Sequence, residues 1–269
     1  MKQFCLPGLY LYKNTTSLLP SAVKSHIGTP FIHLNEIDST NRYARNQIDA
    51  NLAQHGTVYL ANHQTRGKGR LERTWISEPG KNILMSVVLN TSGHKNEETP
   101  ILNRLIALGC FDFLHHYAGN ETSIKWPNDL YWRDRKAGGI LIENIWRGNN
   151  WSWSIIGIGL NINQDKFPEQ AAKATSLKLI TKQEFDIEFL ARQLCRLLND
   201  RLCDWTDAKA PGVLKEYNAH LYKKNCQVTL QVDNKNMVCT PLEVTATGEL
   251  MVSNSDGAII NLREAKWID

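Results

Sequence analysis

The stretch Gln64-Thr65-Arg66-Gly67-Lys68-Gly69-Arg70-Leu71-Glu72-Arg73-Thr74-Trp75 sets four cations against one carboxylate within eight residues. Glycines at 67 and 69 let the backbone approach a ligand closely and turn N–H groups inward. Cations packed this densely repel one another unless an anion sits among them. The spacing is not that of a P-loop, because no Gly-Lys-Ser/Thr follows at the required offset. The polar run from Gln64 to Lys81 reads as one long loop, and long loops inside compact domains are usually functional or disordered. A solvated basic loop is the plain alternative, and this stretch alone leaves it open.

Outward from the loop, strand and helix patterns alternate. Phe31 to Leu34 reads as a strand, Asp38-Ser39-Thr40-Asn41 as residues able to cap a helix, and Asn41 to Ala50 as that helix. Thr57 to Asn62 and the strongly apolar Asn82 to Asn90 are strands. Thr99-Pro100 opens a helix whose Leu102, Leu105, Ile106, Phe113 and Leu114 recur at helical spacing up to about Tyr117. Ser123 to Trp126, Leu130 to Arg133, Gly139 to Trp146 and Trp151 to Leu160 read as strands, the last two as a hairpin turning at Arg147-Gly148-Asn149-Asn150. An amphipathic helix spans roughly Glu184 to Trp205, and Pro211 opens a shorter one. Past about Lys223 come short strands at Cys226 to Val232, Met237 to Thr240, Glu243 to Ala246, Leu250 to Ser253 and Ala258 to Leu262, with turn residues between them. That spacing predicts a small β-barrel leaning on the larger part. The expected organisation is an N-terminal arm over 1–30, a main domain over 31–222 and a small domain over 223–269.

Composition narrows the function classes. With 42% hydrophobic and 22% charged residues in 269, the chain is not disordered throughout. The 31 basic and 27 acidic residues leave +4, too mild to indicate nucleic acid or a membrane surface by itself. No run of 18 apolar residues occurs, so no membrane-spanning segment is expected. The six cysteines form no C-x-x-C pair, and the first residues lack a signal-peptide cleavage pattern, which together predict reduced thiols in the cytoplasm.

Three more clusters carry chemistry. Lys125-Trp126-Pro127-Asn128-Asp129 is followed by Lys136-Ala137-Gly138-Gly139. A half-buried lysine must meet an anion or lose its proton; an ordinary turn with a salt bridge to Lys136 is the alternative at even weight. Gly157-Ile158-Gly159-Leu160-Asn161 matches G-x-G-x-x-G only weakly, because Ile162 stands where the third glycine belongs and no helix follows. A dinucleotide site is rejected, and Asn161 reads as a ligand-facing hydrogen-bonder. Ser39-Thr40-Asn41 taken alone is an ordinary helix cap.

Taken together, the clusters resemble biotin–protein ligases from about Asn35 to Asn163, in order and spacing, and the tail past Lys223 is similar to that family's C-terminal SH3-like barrel. The resemblance implies an α+β catalytic domain related to class II aminoacyl-tRNA synthetases. It implies activation of biotin by ATP with Mg²⁺, giving biotinyl-5′-AMP, and transfer to a lysine of a biotin carboxyl carrier protein. It puts Lys136 beside the reacting carboxylate and α-phosphate and Arg70 with Lys68 on the phosphates, Lys136 and Arg70 being the catalytic pair. Ser39, Thr40, Asn41, Gln64, Gly69 and Gly139, with Lys68, Arg70 and Lys136, fall to biotin. Gly67, Lys68, Arg70, Trp75, Asn128 and Asn161 fall to the nucleotide, with Trp75 stacking on adenine. Asp129 falls to Mg²⁺, as a carboxylate associated with the ion or holding one of its neighbours. Lys68 departs from the arginine usual at its place, and Leu71-Glu72 from a smaller, less acidic pair. Only about 35 residues precede the first motif, without a three-helix pattern, so no DNA binding is expected; no membrane partner is expected either, and a homodimer is left open. The competing readings are a lipoate or other acyl-adenylate ligase of the same superfamily, and a nucleic-acid-binding module built on the basic loop.

Overall fold

A computed structural model describes residues 26–268 of the chain, apart from 72, 204 and 206–208. Most of the expected arm over 1–30 therefore lies outside the described residues.

The first strands, β1 (Phe31–Ile37) and β2 (Val58–Gln64), run parallel and are joined by α1 (Thr40–Asp49). The others are β3 (Asn82–Asn90), β4 (Thr122–Lys125), β5 (Asp129–Trp132), β6 (Arg135–Arg147) and β7 (Asn150–Asn161). They form one sheet in the order β1-β2-β3-β7-β6-β5-β4, antiparallel everywhere except β1–β2. This is the α+β architecture expected.

Alternation along the strands assigns the faces. On β3, Ile83, Met85, Val87 and Leu89 enter the large core, which also takes the buried side of α2 (Thr99–Ala118) and α4 (Ile187–Leu202). Val88 points the other way, into a smaller cluster where Ala44 and Ile48 of α1 meet Tyr59, Ile145 and Ile155. Burial of each such side chain contributes roughly 1.5–3 kcal/mol against exposure. The α1 cluster occupies only part of its face of the sheet. The rest of that face holds the cavity described below.

Several boundaries differ from the sequence reading. Asp186 caps α4 through a bond from the Phe189 N–H at 2.9 Å, so this helix starts at Ile187 and is shorter than the expected span of Glu184 to Trp205. A short helix, α3 (Leu177–Thr181), capped by Ser176, was not anticipated; α5 (Ala210–Ala219) carries Pro211 in its first turn, close to the expected start.

The C-terminal strands are β8 (Val228–Val232), β9 (Lys235–Val244), β10 (Leu250–Asn254), β11 (Ile259–Leu262) and β12 (Lys266–Trp267), antiparallel in the order β11-β10-β9-β8-β12. The two strands expected around Pro241 are one, β9. Pairing with β8 stops at Cys239, so the N–H that Pro241 lacks is not needed on that side, and the register with β10 shifts where Pro241 faces Val252. The two sheets are joined by buried polar bonds. Arg104 of α2 donates to the carbonyls of Thr245 and Ala246, both at 2.6 Å. Asn218 of α5 exchanges two bonds with the backbone of Val244. Among the described residues no disulfide forms, and no helix is long and apolar enough to cross a membrane.

Candidate active site

The floor of the cavity comes from β6 and β7, where Gly139 lies opposite Gly159 and Leu141 opposite Gly157. A Cβ at Gly157 would stand 2.4 Å from Asn41 Oδ1, and one at Gly159 would stand 2.7 Å from the Trp75 indole. The Gly-x-Gly pattern is therefore a strand stripped of side chains so that two others can lie on it.

Ser39, Thr40 and Asn41 at the start of α1 are buried. Ser39 occupies the N-cap position, yet its side chain makes no capping bond. Asn41 is fully engaged: its Nδ2 donates to Glu143 Oε2 at 2.7 Å and Leu141 O at 3.2 Å, and its Oδ1 accepts from Ser86 Oγ at 2.6 Å. Thr40 donates its backbone N–H to Gln64 Oε1 at 2.7 Å, with its hydroxyl 3.1 Å from the same oxygen. The result is a wall of neutral hydrogen-bonding groups. Ser86, missed in the sequence, was signalled by a lone polar residue inside an apolar strand.

The basic stretch folds back on itself within the long loop. Trp75 N–H donates to Gly67 O at 2.9 Å, Gly69 N–H donates to Arg73 O at 2.7 Å, and Lys68 bridges Thr74. Gly67 is buried, and a Cβ there would come 2.7 Å from Trp75 O, so this glycine permits the crossing of the two arms. The Trp75 ring rests on Gly139 and Gly159, and its Nε1 is buried without a hydrogen-bond partner. Leu71 sits exposed near the tip at φ 53°. Arg70 lies 4.0 Å from Glu264, beyond the last long strand of the C-terminal sheet.

Lys136 stands on β6 with its ammonium 2.6 Å from Asp129 Oδ1 and 5.6 Å from the Trp75 ring centroid. Both members of the ion pair are half-buried. The backbone of Lys136 donates to Lys173 O and accepts from Thr175 N–H, both at 2.8 Å. This pairing brings residues 167–174 over the cavity as a wall that the sequence did not reveal. Asn128 fastens the turn before β5 by donating to Ile140 O at 2.6 Å, and Asn161 donates to Thr175 O at 3.0 Å. Burial, and then the charge of Asp129, push the Tyr131 phenol well above its ordinary pKa.

These elements enclose a cavity of about 480 Å³. Lys136 and Arg70 share it, and every site residue singled out in the sequence lines it except Gly67. Arg73, Tyr131, Gly157 and Gly159 line it too and had not been assigned to a site. Among the described residues no group of three His, Cys, Asp or Glu side chains is placed to hold a metal ion.

The model of the Biotin/lipoate A/B protein ligase family matches residues 34–161, which run from within β1 to the end of β7. Over this segment, just under half of the chain, the sequence is similar to that family. The bifunctional ligase/repressor BirA of Bacillus spizizenii is 36% identical over 163 residues, 60% of this chain and 50% of that protein. The biotin–[acetyl-CoA-carboxylase] ligase of Mycobacterium tuberculosis is 31% identical over 168 residues, covering 61% of this chain and 60% of that one. The chain spans about half the length of the first curated relatives it matches. Among solved structures, the Aquifex aeolicus biotin protein ligase in complex with biotin and ATP superposes at TM-score 0.73 with 24% identity, over 88% of this chain and 97% of that one. The Leishmania major biotin protein ligase in complex with biotinyl-5-AMP gives 0.61 with 25% identity, over 87% and 98%. The structural likeness thus runs well past the segment matched by the family, into the C-terminal sheet.

Proposed function

We propose that the protein is a biotin–protein ligase: it joins biotin to AMP at the expense of ATP and passes the biotinyl group to a lysine of a biotin carboxyl carrier protein. The observation that carries the reading is a single cavity with a neutral polar wall, Ser39, Thr40 and Gln64, and cations Lys68, Arg70 and Lys136. A ureido ring presents fixed donors and acceptors without charge, which suits the first set. A carboxylate attacking an α-phosphate brings two anions together, which requires the second.

In the first step a biotin carboxylate oxygen bonds to the α-phosphorus and pyrophosphate leaves. Lys136 exchanges Asp129 for the reacting oxygens, and a lone ammonium on a flexible stem can follow charge as it moves. Arg70 and Lys68 hold the phosphates, and the hairpin with Gly69 covers them. Gly139 gives the reactants access to the floor, Asn41 keeps Thr40 and Ser39 in place, and Asn128 with Asn161 holds the nucleotide side. Trp75 offers its ring to adenine. Mg²⁺ would supply charge neutralisation to the nucleotide's phosphates, a role that needs few protein ligands, and Asp129 in the cavity lining would be the carboxylate to hold it. In the second step the acceptor amine attacks the acyl carbon, AMP leaves, and the amine gives up its proton. The C-terminal sheet is read as an SH3-like unit over 223–269, beside a catalytic unit over 31–222.

The test is ATP–pyrophosphate exchange with biotin or lipoate. Biotin-dependent exchange is expected, and Lys136→Ala should lower it by about 100-fold or more, the scale for losing one charge-stabilising donor. Normal exchange by the variant would remove Lys136 from the chemistry. Exchange with lipoate alone would move the protein to the other branch of its family.

A further inference from the structure

Lys125 opens the Lys125-Trp126-Pro127-Asn128-Asp129 motif, yet it does not line the cavity. It ends β4, is 7% exposed, and its ammonium lies 4.4 Å from the ring centroid of Tyr131, 5.0 Å from Trp267 and 5.2 Å from Tyr222. It also donates to the Tyr131 hydroxyl at 3.2 Å. Aromatic faces attract a cation electrostatically, and the attraction grows when water is excluded. The cage is itself tied down. Trp267 Nε1 donates to Trp126 O at 3.0 Å, and the Tyr222 hydroxyl donates to Asp134 at 2.8 Å.

Tyr131 connects this cage to the cavity. It lies on β5 opposite Lys136 and forms part of the cavity wall. Its oxygen accepts from Lys125, so its own proton is left to donate elsewhere, and burial keeps the phenol protonated. Arg73 and Asp129 are the charged cavity residues that act on it. In the sheet order, β5 stands on the opposite flank from β2, which carries Gln64 of the neutral wall. An ammonium bonded to the phenol oxygen makes the O–H a stronger donor toward an anion.

We propose that the Tyr131 hydroxyl donates a hydrogen bond to the phosphate-bearing part of the nucleotide, and that Lys125 is a positioning residue that holds and polarises it, braced by Trp267 of the C-terminal sheet. The proposal rests on the ligase reading above and adds to it a nucleotide contact and a physical link from the C-terminal sheet to the cavity.

The test uses the full chain, with ATP and biotin KM from pyrophosphate exchange and ATP affinity from calorimetry. Tyr131→Phe keeps the ring in the cage and removes the hydroxyl. It should raise the ATP KM and Kd by about tenfold, the scale of one hydrogen bond to a charged group, while biotin KM stays within about twofold. Lys125→Met should match it, the double variant should be no worse than either, and Lys125→Arg should recover most of the loss. Trp267→Leu should shift the same constants in the same direction. Unchanged ATP constants in folded Tyr131→Phe overturn the contact, and additive losses in the double variant overturn the positioning role. If Lys125→Met does not fold by circular dichroism, Tyr131→Phe and Lys125→Arg decide. Absence of biotin-dependent exchange in the unaltered protein would strike the ligase reading, and the calorimetric series would still judge Tyr131.

Discussion

Gly157→Ala is the sharpest single perturbation of this architecture. The new methyl group would stand 2.4 Å from Asn41 Oδ1 and 3.0 Å from its Cγ and Nδ2, where ordinary contact begins at 3.4 Å. Asn41 must therefore retreat by about 1 Å at its oxygen, a distance that ruins hydrogen-bond geometry. It has nowhere to go without loss, because Ser86 holds its oxygen at 2.6 Å and Glu143 its nitrogen at 2.7 Å. Losing two such bonds, with overpacking added, should cost roughly 2–4 kcal/mol. The protein should still fold, since domains typically hold about 5–15 kcal/mol. Urea unfolding of the variant measures the cost directly. The same change made in an Asn41→Ala background should cost less than about 1 kcal/mol, because the atom it strikes is gone. Equal costs in the two backgrounds, or a cost below about 0.5 kcal/mol in the first, would refute the account of the floor. Displacing Asn41 also moves Thr40, so a raised biotin KM should accompany the loss of stability.

Ordering a loop costs roughly 1–2 kcal/mol per residue in backbone entropy, and the cations of 66–73 add repulsion, so the Gly69 and Trp75 amides should gain hydrogen-exchange protection when biotin and ATP are added. Equal protection with and without them would show that the hairpin bonds at 2.7 and 2.9 Å already suffice. Burial lowers the pKa of His220, stacked on Phe111, below 6.5, against the upward pull of Glu216 and Asp112. A lowered folded value means the unfolded chain binds the proton first, so this group's stabilisation is complete above 6.5 and is lost as pH falls through the folded value. The unaltered protein should therefore lose more Tm between neutral pH and pH 5 than His220→Gln does, and parallel pH profiles would contradict this.

The parts of the fold legible in the sequence are those whose burial is one-sided or complete. Asn82 to Asn90 reads as a strand because it is apolar throughout, and β3 has those bounds. Helix α1 shows its apolar stripe at Ala44 and Ile48. Pro241 misled because a proline breaks a strand only where a neighbour needs its N–H, and β8 has ended by then. In the site, unusual residues in apolar strands announced themselves, whereas the 167–174 wall did not. That wall is placed by backbone bonds to Lys136, and backbone bonds leave no mark on side-chain identity. The Lys125 cage was equally hidden, since its rings come from positions 131, 222 and 267 and meet only after folding.

What the basic loop grips is decided by where its charge points. Lysine and arginine laid along an open face give the footprint of a nucleic-acid binder, whose field reaches a long polyanion. Here Lys68, Arg70 and Arg73 line a cavity of about 480 Å³ and share it with Asp129 and Glu169. A space of that size takes a small molecule or a nucleotide. The net charge of +4 is thin over 269 residues, and beyond about 8 Å salt screens what remains. The cations therefore act at contact distance, on anions that enter. Lys136 is already paired with Asp129 at 2.6 Å, so an incoming carboxylate must compete for it with a carboxylate the protein supplies. On the function proposed above, a neutral polar wall beside that exchange would let the cavity recognise the uncharged end of a substrate while its acidic end took the place of Asp129.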